Sequence, residues 1–366
     1  METYIIWGTG KRAETNYIFS KKFSTELQVI AFVDNNALKQ GKLFHGIPVI
    51  SPQEIHNLKW DYIDIWTDLY SKEIEEQLVC ELGLRRSQIR DFFLTIRESL
   101  FARYADTQEK DIREFLEYLR NRKWVSIYNF RATRKYEPTE AYFDDEKKLY
   151  YTFFEGKKLY VKKGYPLLEI KGKKYISNFW GEQDENSPHR YEDDVVAVRE
   201  GDVLVDAGAC EGNFTLHNIE KVSKVYVIEC DPAWVEALKC TFEPWKEKVE
   251  FCCKYLGKKD SDTEICLDTL IGDAKVDFIK MDIEGAERDA LLGARKLLDR
   301  SSNIRCSICS YHRHKDEEFI KQQLGQSGFS TYHSEGYMWF FLDEYAAQKR
   351  ELRRGIVRAI KENKYV

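Results

Sequence analysis

No stretch of this sequence approaches the roughly 20 consecutive apolar residues that a bilayer-spanning helix requires. The first apolar run, Tyr4 to Trp7, is far too short for a signal-peptide core and leads straight into Gly8-Thr9-Gly10. The expectation is therefore a soluble, cytoplasmic chain with no membrane span. An excess of charge is missing too: 57 basic against 62 acidic residues leave a formal net charge of −5. A surface so balanced exerts no general pull on a phosphate backbone, which argues against nucleic acid as a partner, although a local basic groove is compatible with the composition. Low-complexity tracts and short-period repeats are absent. Cysteine is present, but its count of nine is odd, and several of the nine sit in apolar runs that read as strands. Reduced, buried thiols fit that usage better than a disulfide framework.

What the sequence does contain is material for more than one core. Its 366 residues are 43% apolar and 14% aromatic, which suggests two domains and excludes wholesale disorder. Two βαβ beginnings are visible. The first runs from Tyr4-Ile5-Ile6-Trp7 through Gly8-Thr9-Gly10 and a polar-apolar segment ending near Phe23 to Val29–Asp34, followed by a strand at Tyr62–Trp66 and a helix over about 71–82. The second begins after residue 200, with strands expected at Val203–Val205, Val225–Ile228, Val249–Cys253, Phe278–Ile279 and Ile304–Cys309 and helices between them. Ser330–Tyr332 and Met338–Leu342 suggest a closing antiparallel pair, so the second sheet is expected to be mostly parallel with one reversed strand. Helical spacing between Thr95 and Arg122 gives way to short β-like pieces between Trp124 and Tyr175. The tail reads as a basic amphipathic helix, with Lys349, Arg350, Arg353, Arg354, Arg358 and Lys361 around a stripe of Leu352, Ile356 and Ile360. These patterns divide the chain into 1–94, a connecting region 95–174, a second α/β domain 175–345 and a helical tail 346–366.

The most informative run is Asp206-Ala207-Gly208-Ala209-Cys210-Glu211-Gly212-Asn213, directly after a buried strand. Open α/β sheets bind ligands at the carboxyl ends of their strands. Glycines there let the backbone turn sharply and approach a ligand. The spacing is not the G-x-G-x-x-G of a dinucleotide loop, and an acid precedes the first glycine, which suits an amine and hydroxyls better than a diphosphate. Glu229 ends the next strand and could accept both hydroxyls of a ribose.

This run resembles motif I of class I methyltransferases, and Lys280-Met281-Asp282-Ile283-Glu284-Gly285-Ala286-Glu287 with Ala290-Leu291-Leu292-Gly293-Ala294 resembles the signature of the FkbM family. The resemblance covers about 175–342. It implies an α/β fold in which the C-terminal of two Rossmann-like domains carries a seven-stranded methyltransferase sheet. It also implies S-adenosylmethionine as cofactor and O-methylation of a small-molecule hydroxyl, commonly on a carbohydrate or nucleotide-linked sugar. On that basis Asp206, Gly208, Ala209, Glu211, Gly212, Asn213, Glu229 and Asp282 are cofactor-binding candidates, joined by Gln183 from the polar segment 180–191. His312, after the fifth strand, is the first choice of general base, a histidine being able to take a proton near neutral pH, and Asp282 is its catalytic companion. Glu284, His189, Tyr191 and His312 are candidates for acceptor contact. Glu287 reads as a cap on the helix that follows.

No metal site is expected. Cys306, Cys309 and His312 have tempting spacing, but residues three apart on a strand point to opposite faces. In the N-terminal half, Gly8-x-Gly10-x-x-Ala13 with Asp34 fits a G-x-G-x-x-A fingerprint, and the segment through Gly46-Ile47-Pro48-Val49-Ile50 resembles small nucleotide-sugar-type Rossmann domains. Gly8, Gly10 and Asp34 thus mark a candidate nucleotide site. Two rivals follow: a nicotinamide-dependent oxidoreductase using the first domain, and a non-catalytic module that only binds S-adenosylmethionine. A homo-oligomer is compatible with all of these readings.

Overall fold

The structure is a computed structural model describing residues 2–362 except 11–12, 15, 18–19, 21–27, 68–70, 91, 121, 123–125 and 178–179. The helix expected between Gly10 and Phe23 lies largely outside the described residues, as does Trp124. The chain divides into two compact units, 1–129 with 339–352 and 130–338 with 353–366. The connecting region expected at 95–174 is therefore split between them, and the C-terminal segment visits both.

In the first unit, β1 (Thr3–Trp7), β2 (Gln28–Val33), β3 (Leu43–Phe44), β4 (Ile47–Ile50), β5 (Tyr62–Ile65) and β6 (Ile89–Arg90) form one sheet in the order β3-β4-β2-β1-β5-β6. All neighbours but β3 and β4 are parallel. Both faces are apolar, as parallel strands require: Ile5, Trp7 and Ile63 fill one core and Tyr4, Ile6 and Phe32 the other. Helix α1 (Ser71–Glu76) follows β5, and α2 (Phe92–Arg103) and α3 (Lys110–Arg120) follow the sheet. On α3 the residues at helical spacing, Ile112, Phe115, Leu116 and Leu119, are the buried ones.

The second unit opens with two small antiparallel sheets. One holds β7 (Thr139–Glu140), β11 (Leu168–Ile170) and β12 (Lys173–Ile176); the other holds β8 (Tyr142–Asp144), β9 (Leu149–Phe154) and β10 (Lys157–Val161). Then comes the main sheet: β13 (Val203–Ala207), α4 (Asn213–Asn218), β14 (Lys224–Ile228), α5 (Pro232–Thr241) and β15 (Val249–Cys252), a two-stranded pair of β16 (Tyr255–Leu256) and β17 (Glu264–Ile265), α6 (Leu267–Ile271), β18 (Phe278–Met281), α7 (Glu287–Leu292), α8 (Arg295–Arg300), β19 (Ile304–Cys309), α9 (Asp316–Gln326) and β20 (Ser330–His333). After α10 (Glu344–Lys349), a helix that belongs to the first unit, the chain returns to the second as β21 (Ile356–Lys361). The seven strands lie in the order β15-β14-β13-β18-β19-β21-β20, and β21 alone runs against its neighbours. A mostly parallel sheet with one reversed strand is what the alternation implied, and its seven strands are what the methyltransferase resemblance implied.

The reversed strand is not the expected one. Met338 makes a single bridge to Arg353, and β21 comes from the tail, where a helix was anticipated. Burial on both faces of the strand explains the error. Ile356, Val357 and Ala359 are fully buried, and the β-branched pair prefers a pleated, enclosed setting. The basic residues do not form a solvated helix face. Arg353 Nη1 donates to the carbonyls of Tyr311 and His312, both at 2.9 Å, and Arg358 donates to the Arg190 carbonyl at 2.5 Å while facing Asp193 at 3.3 Å. Ile356→Ala is expected to cost about 2–5 kcal/mol in urea unfolding; a cost below about 0.5 kcal/mol would fit a surface helix instead.

Candidate active site

β13 ends on Asp206 and Ala207, and the chain turns at Gly208 and again at Gly212, both with φ of +77°. At Gly208 a Cβ would stand 1.8 Å from the Asp282 carbonyl oxygen, so glycine is what lets the loops after β13 and β18 touch. The Asp282 amide completes this junction by donating to the Ala207 carbonyl at 3.0 Å.

Asp206 is expected at the crevice but lies fully buried behind the loop. Its carboxylate accepts from Thr215 Oγ1 at 2.6 Å and faces Lys280 Nζ at 3.1 Å. Lys280, itself buried, also donates to the Gly208 carbonyl at 2.6 Å. The reason is electrostatic: a charge taken out of water needs a partner, and Lys280 reaches Asp206 from the adjacent strand. Asp206 thus braces the loop rather than facing a ligand. Sequence reasoning passed over Lys280, although a lysine inside an apolar strand is the signal of a buried pair. Leaving either charge alone is costly, so Lys280→Met should lower unfolding free energy by about 3–5 kcal/mol in urea titration, and Asp206→Asn with Lys280→Met together by less than the two single losses combined.

The other loop candidates divide similarly. Glu229, just beyond β14, accepts from the Cys210 amide at 2.9 Å through Oε2 and from the Asp231 amide at 2.9 Å through Oε1. A carboxylate offers about four acceptor positions, so two remain for hydroxyl groups. Ala209 is buried and its amide donates to the Ile228 carbonyl at 3.2 Å. Glu211 is half-buried. Asn213 starts α4, accepting from the Phe214 amide at 2.9 Å. Gln183 is spent within its own turn, accepting from the Tyr191 amide at 2.9 Å and donating to the His189 carbonyl at 3.2 Å. It holds the 183–191 segment in shape.

That segment is aimed at Asp282, just after β18. Tyr191 donates its hydroxyl to Asp282 Oδ2 at 2.6 Å, and His189 Nε2 lies 3.2 Å from the same oxygen. From the other side come the Tyr311 hydroxyl at 3.3 Å and His312 Nε2 at 3.5 Å, both on Oδ1. Burial would raise the Asp282 pKa, but the His189 hydrogen bond and the positive charges of His189, His312 and Lys280 hold it well below the usual carboxylate range. Tyr311 was not foreseen; tyrosine at a strand end looks like ordinary core until its hydroxyl is placed. His189 and Tyr191, expected to meet an acceptor, are buried against Asp282 and shape it instead.

His312 requires a correction. Its Nδ1 lies 3.0 Å from Glu287 Oε1, its Nε2 3.6 Å from Glu284 Oε2, and the side chain is almost wholly buried. Burial disfavours the imidazolium, but the hydrogen bond and charge of Glu287, with Asp282 and Glu284 behind, outweigh it and push the pKa up to about 9. At neutral pH His312 therefore already holds its proton and is not a general base. Glu287 does more than cap a helix: its Oε1 accepts from the Ile283 amide at 2.9 Å and fixes the imidazole as well. Glu284, with φ of +55°, is left exposed at the rim. Because the folded pKa exceeds the ordinary value near 6.5, protonated His312 stabilises the fold fully below about pH 6.5, and that contribution is lost as pH rises through about 9. Urea titrations should show a loss on the order of 2–3 kcal/mol over that interval that His312→Asn lacks; parallel pH profiles for the two proteins would refute the assignment.

Cys306 and Cys309 diverge. Cys306 joins the apolar core, whereas Cys309 Sγ lies 3.6 Å from His189 Nε2. Donor atoms of His189, Asp282 and Cys309 fall within 4.8 Å of one another, as do those of Asp282, Glu287 and His312. The hydrogen bonds above account for both groupings.

In the first unit Gly8, at φ +119°, donates its amide to the Val33 carbonyl at 2.8 Å. Space is open beside Gly10. Asp34, however, is engaged: it accepts from Thr9 Oγ1, from the Asn36 amide at 2.9 Å and from Lys39 Nζ at 2.8 Å. Burial would raise its pKa, but the Lys39 and Thr9 hydrogen bonds lower it. The acid that would receive a ribose is held by its own loop, which weakens the nicotinamide reading.

A seven-stranded sheet of this order, with a glycine loop after its first strand and acids after its second and fourth, defines a class I methyltransferase fold. Family comparison agrees: residues 258–348 match the methyltransferase FkbM domain, and residues 1–90 match the C2185-like N-terminal domain. Residues 258–348 are thus similar to a methyltransferase FkbM domain. Among curated proteins it is 46% identical over 57 residues to a probable ribosomal RNA small subunit methyltransferase A of Methanococcoides burtonii. That stretch is 16% of this chain and 21% of the relative, so the chain spans about a fifth of the length of the curated relative it matches. Similar solved structures include the methyltransferase FkbM of Methylobacillus flagellatus KT, 16% identical with a TM-score of 0.48 over 98% of this chain and 90% of that one. The fibrillarin pre-rRNA processing protein of Methanococcus jannaschii is also similar, 16% identical with a TM-score of 0.35 over 64% of this chain and 99% of that one. The magnesium protoporphyrin IX methyltransferase of Synechocystis PCC 6803 is 18% identical with a TM-score of 0.31 over 44% and 71%. No helix among the described residues is long and apolar enough to cross a membrane.

Proposed function

We propose that this chain is an S-adenosylmethionine-dependent O-methyltransferase acting on a sugar hydroxyl. The observation that carries the reading is Glu229, a carboxylate at a strand end beside the glycine loop, held by two backbone amides at 2.9 Å with acceptor positions to spare. These residues fit the cofactor: Glu229 would hold its ribose, and the Gly208–Gly212 loop would flank its methionine part. When bound, the cofactor supplies an electrophilic methyl group on a sulfonium.

The chain's own contribution is alignment and charge. Glu284 stands at the rim, where an acceptor hydroxyl can donate to it, while Asp282 is kept ionised beneath by the Tyr191 and Tyr311 hydroxyls, His189 and the nearby charge of His312. A rigid cluster of this kind lowers the entropic cost of an in-line approach. With His312 protonated below about pH 9, the acceptor proton is not taken by that imidazole at neutral pH, and the positive charges around Asp282 keep the crevice from repelling an oxygen nucleophile. The sugar class of acceptor rests on the FkbM resemblance.

Calorimetric titration with S-adenosylhomocysteine tests the cofactor site. Loss of a charge-assisted ribose contact worth about 1.5–3 kcal/mol should weaken binding by Glu229→Ala roughly tenfold to hundredfold relative to wild type. Absence of binding heat in folded wild-type protein would overturn the proposal.

A further inference from the structure

A turn of three residues, Glu229, Cys230 and Asp231, carries the chain from the end of β14 at Ile228 to the start of α5 at Pro232. Glu229 is slung across that turn. Its Oε2 accepts from the Cys210 amide in the glycine loop, and its Oε1 from the Asp231 amide, both at 2.9 Å. Asp231 is fixed by two contacts of its own. Oδ1 caps α5 by accepting from the Ala233 amide at 2.9 Å, and Oδ2 accepts from Lys162 Nζ at 2.6 Å.

Lys162 does not belong to the main sheet. It directly follows β10, in the small sheet of β8, β9 and β10. Its ammonium lies 5.1 Å from the Trp234 ring centroid, and Tyr165 packs edge to face with Trp234, centroids 5.7 Å apart. β10 also holds the far end of α5, where the Tyr160 amide donates to Thr241 Oγ1 at 3.0 Å. A lysine kept between a carboxylate and an indole is not a freely solvated charge. Its pKa is raised, chiefly by the Asp231 hydrogen bond, and the charge of Glu229 adds to the effect. Exposure of 33% for Lys162 and 36% for Asp231 makes the pair a minor contributor to global stability. Its loss is therefore readable in binding rather than in folding.

We propose that Lys162 is a positioning residue for the cofactor: through Asp231 it sets the orientation in which Glu229 meets the ribose, an inference that rests on the S-adenosylmethionine reading above. Lys162 needs no contact with the ligand. By holding Oδ2 it keeps the Asp231 amide aimed at Glu229 Oε1, so the remaining acceptor positions of that carboxylate stay in one arrangement. Without Lys162, Asp231 still caps α5, but its turn is free to tilt and Glu229 is firmly tied only to Cys210. The small sheet thus takes part in cofactor binding although it lies outside the seven-stranded sheet.

The test is calorimetric titration of the full chain and its variants with S-adenosylhomocysteine. Lys162→Met should bind about three- to tenfold more weakly than wild type, the worth of one hydrogen bond. Lys162→Arg, which keeps a cation for Asp231, should stay within about twofold. Asp231→Asn keeps the helix cap but not the charge, and should lose affinity about as Lys162→Met does. Because the effect runs through Glu229, adding Lys162→Met to Glu229→Ala should change affinity by less than about twofold. Lys147→Met removes an ion pair with Glu243, at 3.0 Å beyond the other end of α5, and should bind as wild type does. Wild-type affinity in Lys162→Met, a full further loss in the Glu229→Ala background, or equal weakening by Lys147→Met overturns this inference and leaves the methyltransferase reading intact. No binding by folded wild-type protein overturns both.

Discussion

Three separate pieces of chain are drawn together at the Asp282 carboxylate, and much of the site's geometry follows from keeping that one group ionised away from water. The segment before β13 supplies His189 and Tyr191, the end of β19 supplies Tyr311 and His312, and the Asp282 backbone itself sits against Gly208. A carboxylate so enclosed is tolerable only when its acceptor positions are filled. That requirement explains why Gln183 braces its turn, why Arg353 fastens the carbonyls of Tyr311 and His312, and why Glu287 holds the far nitrogen of His312. Each is one step removed from Asp282.

A second buried pair, Asp206 with Lys280, performs the matching task for the glycine loop. Asp206 and Asp282 have opposite relations to the crevice although both lie near the carboxyl end of a parallel strand. Asp206 lies within β13, facing back into the sheet, whereas Glu229 and Asp282 come one residue after their strands end and can turn toward a ligand. A shift of one residue at a strand end decides whether a carboxylate serves the protein or its ligand.

The parallel strands of the second unit were legible because buried parallel strands are continuous apolar runs, as at Val203–Val205 and Ile304–Cys309. The tail was not, because Leu352, Ile356 and Ile360 satisfy helical spacing while Ile356, Val357 and Ala359 satisfy burial on both faces of a strand; only the vacancy between β19 and β20 decides between them. At the site, residue types and positions were readable from the FkbM-like run, but roles were not. His312 looks like a base until Glu287 is placed 3.0 Å from its ring. His189, Tyr191 and Gln183 look like ligand contacts until their partners prove to be one another and Asp282. Such roles depend on long-range pairings and burial, which no local spacing encodes. In the first unit, likewise, Asp34 matches a ribose-binding acid in sequence and is claimed in the structure by Thr9 and Lys39, five residues downstream.

The central claim is that the crevice between the loops after β13, β14 and β18 holds S-adenosylmethionine. A crystal structure of the protein with S-adenosylhomocysteine tests it most directly. The account predicts the ribose hydroxyls on the Glu229 carboxylate, the homocysteine part along the Gly208–Gly212 loop, and the sulfur directed toward the rim formed by Glu284. Density for the ligand in another cleft, or with its ribose away from Glu229, would contradict it.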